Sequence, residues 1–159
     1  MIFEEVKIFT PDAFTDYRGD MWTTYKKGDF PDIDFKHDKC SISRKNVIRG
    51  VHGDFKTTKL VSCLHGEIYF VVVDNRKESE NYLKWDWTIL NEYNKKQVLL
   101  PPGFGNGFCV LSDKCLFSYK LSYDGDYSDV GQQYTLKWND PRIKIDWPIS
   151  NPILQRRDK

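Results

Sequence analysis

An imidazole and an ammonium group stand close together in residues 45–59, K-N-V-I-R-G-V-H-G-D-F-K-T-T-K, as His52 and Lys59. Their types suggest proton chemistry. A histidine with an ordinary pKa near roughly 6.5 can accept a proton at neutral pH. A lysine beside it can hold an oxygen that becomes negatively charged. Val47, Arg49 and Val51 alternate before the pair, and Leu60, Ser62 and Leu64 alternate after it. The pattern predicts a hairpin turning over residues 53–59, with both groups at one sheet edge or mouth. Taken alone, a strand histidine is more often structural, and a lysine at a hairpin end is more often solvated.

The other segments must position this pair. Strands are predicted over residues 2–9, 21–25, 35–42, 67–74, 82–90, 97–100 and 134–138 from their β-branched and aromatic content and alternation. Residues 67–74, E-I-Y-F-V-V-V-D, are nearly apolar on both faces. Residues 108–111 and 114–121 read as a further hairpin around Ser112-Asp113, and residues 143–147 as a last extended piece. Turn signals mark residues 11–12, 16–19, 26–34, 75–81, 91–96, 123–131 and 139–141. Residues 101–107, P-P-G-F-G-N-G, are too rich in Gly and Pro for a regular strand interior, and predict a tight bend close to something else. About ten short strands, with no amphipathic helix, predict an all-β sandwich or barrel; a jelly roll of two four-stranded antiparallel sheets is the natural candidate.

A chain of 159 residues suffices for one domain, read here as residues 1–159. Its 24 basic and 23 acidic residues nearly cancel, so no general nucleic-acid or membrane surface is expected. No apolar run reaches the roughly 20 residues that span a bilayer, and the N-terminus has no signal-peptide pattern. Cys40, Cys63, Cys109 and Cys115 show no C-x-x-C spacing, and are expected to be buried, reduced thiols of a cytoplasmic protein.

Several chemistries are poorly served. His37, His52 and His65 are the only histidines and form no H-x-H pair, so no metal site is expected. There is no G-x-S-x-G elbow, phosphate loop or dinucleotide fingerprint. General acid–base work without a cofactor remains.

The order of the segments resembles the cofactor-independent epimerases of nucleotide-linked 4-keto sugars, the dTDP-4-dehydrorhamnose 3,5-epimerases above all. The matching pieces are F-T-D-Y-R-G (14–19), N-V-I-R-G-V-H (46–52), K-L-V (59–61), G-E-I-Y-F-V-V-V-D-N-R-K-E-S (66–79), P-P-G-F-G-N-G-F-C-V-L-S (101–112), Y-K (119–120), W-N-D-P-R-I-K-I-D-W-P (138–148) and I-L-Q-R-R-D (153–158). The resemblance implies a cupin-type jelly roll, a homodimer and no metal or other cofactor. It also implies the roles. His52 is the base that takes the proton beside the ketone, and Asp158 pairs with it as a triad aspartate does. Lys59 faces the enolate oxygen. Tyr119, across the sugar ring, is the acid that returns a proton to the other face. Arg49 and a partner subunit's copy of Arg18 would bind the diphosphate, as a guanidinium fork suits. Phe14, Lys39 and Asn106 fall among the substrate-binding positions.

Some departures fall on the ligand side. Asn106 stands in G-F-G-N-G-F where the family reads G-F-A-H-G-F, and cannot carry a proton at neutral pH. H-D-K-C-S (37–41) replaces Q-D-N-H-S, Phe70 replaces an aspartate, and the loop from His52 to Lys59 is shorter. Thr23 and Asp124 stand where the rhamnose-pathway enzymes meet thymine. The H-D-K, R-G-V-H-G-D and Y-K-L-S-Y-D-G-D-Y wording is similar to a branch acting on GDP-linked 4-keto heptoses of bacterial capsule synthesis, with Asp124 or Asp126 accepting from guanine. The expected activity is therefore inversion at C3, C5 or both of a GDP-linked 4-keto heptose, the alternative being a dTDP-linked 4-keto-6-deoxyhexose. A 3,4-ketoisomerase of the same fold and a non-catalytic sugar-nucleotide-binding cupin are the rivals.

Overall fold

A computed structural model describes residues 1–126 and 131–159. The expected loop over residues 123–131, and Tyr127 of the heptose-like wording, therefore lie partly or wholly outside the described residues. Among the described residues, twelve strands run in chain order: β1 (Lys7–Phe9), β2 (Ala13–Asp16), β3 (Gly19–Trp22), β4 (His37–Arg44), β5 (Ile48–Gly53), β6 (Lys59–His65), β7 (Glu67–Asp74), β8 (Trp85–Asn91), β9 (Gln97–Leu100), β10 (Phe104–Val110), β11 (Lys114–Leu121) and β12 (Tyr134–Thr135). Among the described residues, only two short 3₁₀ turns, Lys27–Asp29 and Arg156–Asp158, break the β pattern. Two five-stranded antiparallel sheets, β1-β9-β6-β11-β4 and β12-β5-β10-β7-β8, form the sandwich, and β2 and β3 pair as a separate hairpin. Each main sheet thus has one strand more than the expected four.

The chemistry-bearing segment is not a hairpin. β5 pairs with β10 and β12 in one sheet, and β6 pairs with β9 and β11 in the other. Residues 54–58 cross between layers, so His52 and Lys59 approach the interior from opposite sheets. The second predicted hairpin fails in the same way, since β10 and β11 also belong to different sheets. Alternation fixes which face of a strand is buried, but an arch between layers leaves the same signature as a hairpin turn.

Residues 101–107 were expected to bend, yet Gly105, Asn106 and Gly107 lie inside β10. Close backbone approach explains the glycines. A Cβ on Gly105 would come within 2.8 Å of Val51 Cγ1. At Gly50, with φ +117°, a Cβ would lie 2.5 Å from the Gly107 Cα. Glycine here lets β5 and β10 pack closely around a register shift between Asn106 and Phe108.

The two apolar faces of β7 serve two cores. Ile68, Phe70 and Val72 face the space between the sheets, with Val61, Phe108 and Phe117. Tyr69, Val71 and Val73 face outward against Leu136, Ile143 and Trp147. The C-terminal segment therefore covers the back of the second sheet. Residues 136–138 and 143–147 do this without forming strands, since β12 ends at Thr135. Burying these side chains fully is worth about 1.5–3 kcal/mol each. The segment is also tied to β5 by backbone bonds, Ile153 N to Asn46 O at 2.8 Å and Ile48 N to Ile153 O at 3.1 Å. This tether brings the chain end to His52.

Three of the four cysteines are buried as expected, and burial pushes the thiols of Cys63, Cys109 and Cys115 up to about 12, 11 and 11. Cys40 is exposed, because its side of β4 faces away from the core.

At the end of β7, fully buried Asp74 accepts from Arg76 Nε at 2.9 Å, Arg76 Nη2 at 2.7 Å and Ser79 Oγ at 2.6 Å. Burial alone would raise its pKa, but the hydrogen bonds from Arg76 and Ser79 outweigh that and hold it below the usual carboxylate value. A depressed folded pKa stabilises above the unfolded pKa of roughly 3.9, and that gain is lost as pH falls through the folded value. Asp74→Asn is therefore expected to cost about 2 kcal/mol at pH 7. The gap to wild type should close in urea melts below about pH 4.

Candidate active site

A cavity of about 350 Å³ opens between the sheets at one end of the sandwich. Its wall includes Arg49 and His52 from β5, Lys59 and Val61 from β6, Asn106 and Phe108 from β10, and Phe117 and Tyr119 from β11. Gln155 and Arg157 close it from the chain end.

His52 and Asp158 meet across 106 positions of sequence, with His52 Nε2 2.7 Å from Asp158 Oδ1. The Asp158 side chain has no exposed surface and that of His52 keeps 13%. The 3₁₀ turn Arg156–Asp158 drops the carboxylate behind the ring, away from the solvated tail its position suggests. On the other side of the ring, Arg157 Nη2 lies 2.8 Å from His52 Nδ1. A guanidinium only donates, so Nδ1 carries the lone pair, and the ring proton sits on Nε2 and is donated to Asp158. The proton-accepting atom of His52 is thereby fixed as Nδ1.

Lys59 is 5% exposed, and its ammonium donates to Asn106 Oδ1 at 3.1 Å and to the His52 carbonyl at 3.3 Å. It rises from one sheet and bonds to the other. The amide of Asn106 thus steadies the lysine where the family pattern has a titratable ring. Tyr119 stands on β11, opposite the sheet that carries His52, with its ring 5.6 Å from Phe117. Arg49 Nε donates to Ser43 Oγ at 2.7 Å, which steadies the guanidinium at the cavity.

Not every anticipated residue reaches this cavity. Lys39 lies directly opposite Tyr119 in the β4–β11 register and on the same face of β4 as Ser41, at the margin. Phe14 and Arg18 belong to the β2–β3 hairpin and its turn and do not line the cavity of their own chain. Phe14 is 59% exposed, and Arg18 is paired with Asp16. Asp124, anticipated against guanine, has a side chain 91% exposed and 3.5 Å from Lys36, outside the cavity. Asp126 is likewise exposed and outside it. Ser41, Gln133, Gln155 and Arg157 line the cavity without having been anticipated. Ser41 was traceable, since β4 alternates His37, Lys39, Ser41 and Ser43 on its inner face. Arg157 had no local signal, because its neighbour Arg156 is identical in type.

Among the described residues, no group of three or more His, Cys, Asp or Glu side chains could hold a metal ion, and no helix is long and apolar enough to cross a membrane.

Groups able to take and to give protons thus border one hollow from two sides, the mark of an acid–base enzyme built on a cupin-like β-sandwich. The comparisons with known proteins agree. The family model described as dTDP-4-dehydrorhamnose 3,5-epimerase matches residues 1–159. The chain is 40% identical to the dTDP-4-dehydrorhamnose 3,5-epimerase of Escherichia coli strain K12, over 98% of this chain and 88% of that one. It is 32% identical to the dTDP-4-dehydrorhamnose 3-epimerase of Streptomyces niveus, over 98% of this chain and 78% of that one. The crystal structure of the dTDP-6-deoxy-D-glucose-3,5-epimerase of Legionella pneumophila in complex with dTDP-4-keto-L-rhamnose superposes with a TM-score of 0.91, at 33% identity, covering 99% of this chain and 87% of that one. The chain belongs to the dTDP-4-dehydrorhamnose 3,5-epimerase family and is an isomerase. The expected GDP-heptose branch finds no support among these relatives, whose names all carry dTDP.

Proposed function

We propose that the protein epimerises a dTDP-linked 4-keto-6-deoxy sugar at C3, C5 or both, by proton removal to an enolate and return of a proton to the opposite face. The observation that supports this most is His52 on one sheet, backed by Asp158 of the chain-end 3₁₀ turn, with Tyr119 and Lys59 on the other sheet. A C–H beside a ketone is a weak acid, and losing its proton places charge on the C4 oxygen. His52 Nδ1 takes the proton, and Asp158 stabilises the imidazolium that forms. The Lys59 ammonium holds the oxyanion. Tyr119 gives a proton from the far side. Arg49 at the cavity suits the diphosphate oxygens, and Asn106 and Lys39 complete the substrate contacts.

The reading includes a homodimer. The β2–β3 hairpin joins neither main sheet and exposes Phe14 and Met21, which are 59% and 70% accessible. Ile42, on edge strand β4, is 72% accessible. A second copy would cover these residues and could bring its own Arg18 to the diphosphate. A binding-only cupin would have no use for a buried carboxylate behind a histidine that shares its cavity with a phenol from the other sheet.

The nucleotide is tested by turnover of 4-keto-6-deoxyglucose linked to dTDP or to GDP. We expect kcat/KM at least about tenfold higher with dTDP, a difference of about 1.4 kcal/mol. Equal turnover, or a preference for GDP, would overturn that half of the proposal.

A further inference from the structure

Arg157 sits where it obstructs the proposed chemistry. Its Nη2 is 2.8 Å from His52 Nδ1, the ring nitrogen that must accept the substrate's proton. With the guanidinium there, a sugar C–H has no room to approach that lone pair. The guanidinium thus occupies the lone pair a proton would need, on the ring nitrogen opposite the one Asp158 holds. The contact therefore suits an empty site and not a reacting one.

We propose that Arg157 is a removable cap on His52, held on Nδ1 in the empty enzyme and drawn off when a nucleoside diphosphate enters the cavity. The proposal rests on His52 being the base. The cavity that Arg157 lines already holds Arg49 and Lys59, so an incoming dianion meets three cations at once. In swinging off, the guanidinium exchanges His52 Nδ1 and its 3.5 Å contact with Gln133 Oε1 for charged phosphate oxygens, while its Nε starts only 3.9 Å from Asp158 Oδ1. Its departure frees the lone pair. Access to the base is thereby linked to substrate arrival. Arg157 acts through His52 and is a positioning residue.

Other groups act on the same ring and stay in place. Asp158, on the same turn as Arg157, holds Nε2. Lys59 on β6 bonds the His52 carbonyl, Arg49 on β5 and Tyr119 on β11 share the cavity, and β10 and β12 present the neutral Asn106 and Thr135 beside His52 in register. A change confined to Arg157 is therefore read against a constant background.

The experiment compares wild type with Arg157→Gln and Arg157→Lys by two readouts. The first is ¹⁵N NMR titration of the histidine rings in the substrate-free protein, where only three histidines must be assigned. Arg157→Gln is expected to raise the His52 midpoint, with Arg157→Lys in between. Adding dTDP should raise the midpoint more in wild type than in Arg157→Gln, because only wild type has a cap to lose. The second is the pH dependence of turnover. The acid limb of kcat/KM reports the free enzyme, and that of kcat reports the substrate complex. Arg157→Gln should move the first upward and leave the second in place. If neither limb moves and the NMR midpoint stays at the wild-type value, no cap exists. If both limbs move together, Arg157 remains on His52 in the complex and does not act as a removable cap. Should Arg157→Gln not fold, Arg157→Lys carries the same comparisons. Loss of the base assignment would appear elsewhere, as exchange surviving in His52→Asn, and would leave the NMR result on Arg157 standing.

Discussion

His52→Asn is expected to lower both epimerisation and solvent exchange of the substrate by about 10³-fold, within the range for losing a general base. Asparagine keeps an amide near the ring position but cannot accept a proton at neutral pH. Asp158 would then face a side chain with which no charge can be shared, so the carboxylate offers no rescue. The fold should survive, because His52 lies at the cavity wall and the core of this sheet rests on Ile48, Val51, Val71 and Val73. Unchanged dTDP affinity with lost turnover is the expected signature. It is checked by parallel calorimetry and NMR-monitored conversion.

Tyr119→Phe separates the two half-reactions. The phenol stands on β11, in the sheet opposite His52, so its loss should leave deprotonation in place and remove the donor for the other face. We expect inverted product to fall by about 10²- to 10³-fold, while His52 continues to exchange the substrate proton with solvent from its own side. Deuterium retained in uninverted substrate, with little epimer, is the measurement that checks it. A variant that lost exchange and inversion equally would place Tyr119 in the first step instead.

The unequal legibility of this chain has physical causes. The strands were readable because β-branched and aromatic residues alternate, and β7 stood out because both of its faces are buried. Which strand pairs with which was not readable around the site. The arch from β5 to β6 and the corner from β10 to β11 both look like hairpins, since sequence alternation is blind to the layer a strand joins. The glycines of residues 101–107 signalled a close approach, and a turn does fall at 102–103, but their continuation into β10 was hidden, since packing against Gly50 and Val51 cannot be seen from one strand alone. His52 and Lys59 drew attention by type. Asp158 and Tyr119 gained their roles only through resemblance, because Asp158 meets His52 across 106 positions and Tyr119 reaches the cavity from the other sheet. Arg157 escaped notice altogether. A chain-end arginine acquires meaning only once the tether at Ile153 has brought it back to β5. The guanine reading finds no support among the relatives reported above, whose names carry dTDP, and Asp124 lies beside Lys36 outside the cavity.

The most direct test is turnover of a dTDP-linked 4-keto-6-deoxy sugar in deuterated water, with the product read by ¹H NMR. The account predicts deuterium at each inverted carbon, C3, C5 or both, with the wild-type enzyme, and none above background with His52→Asn. Inversion without deuterium, or full deuterium incorporation by His52→Asn, would contradict it.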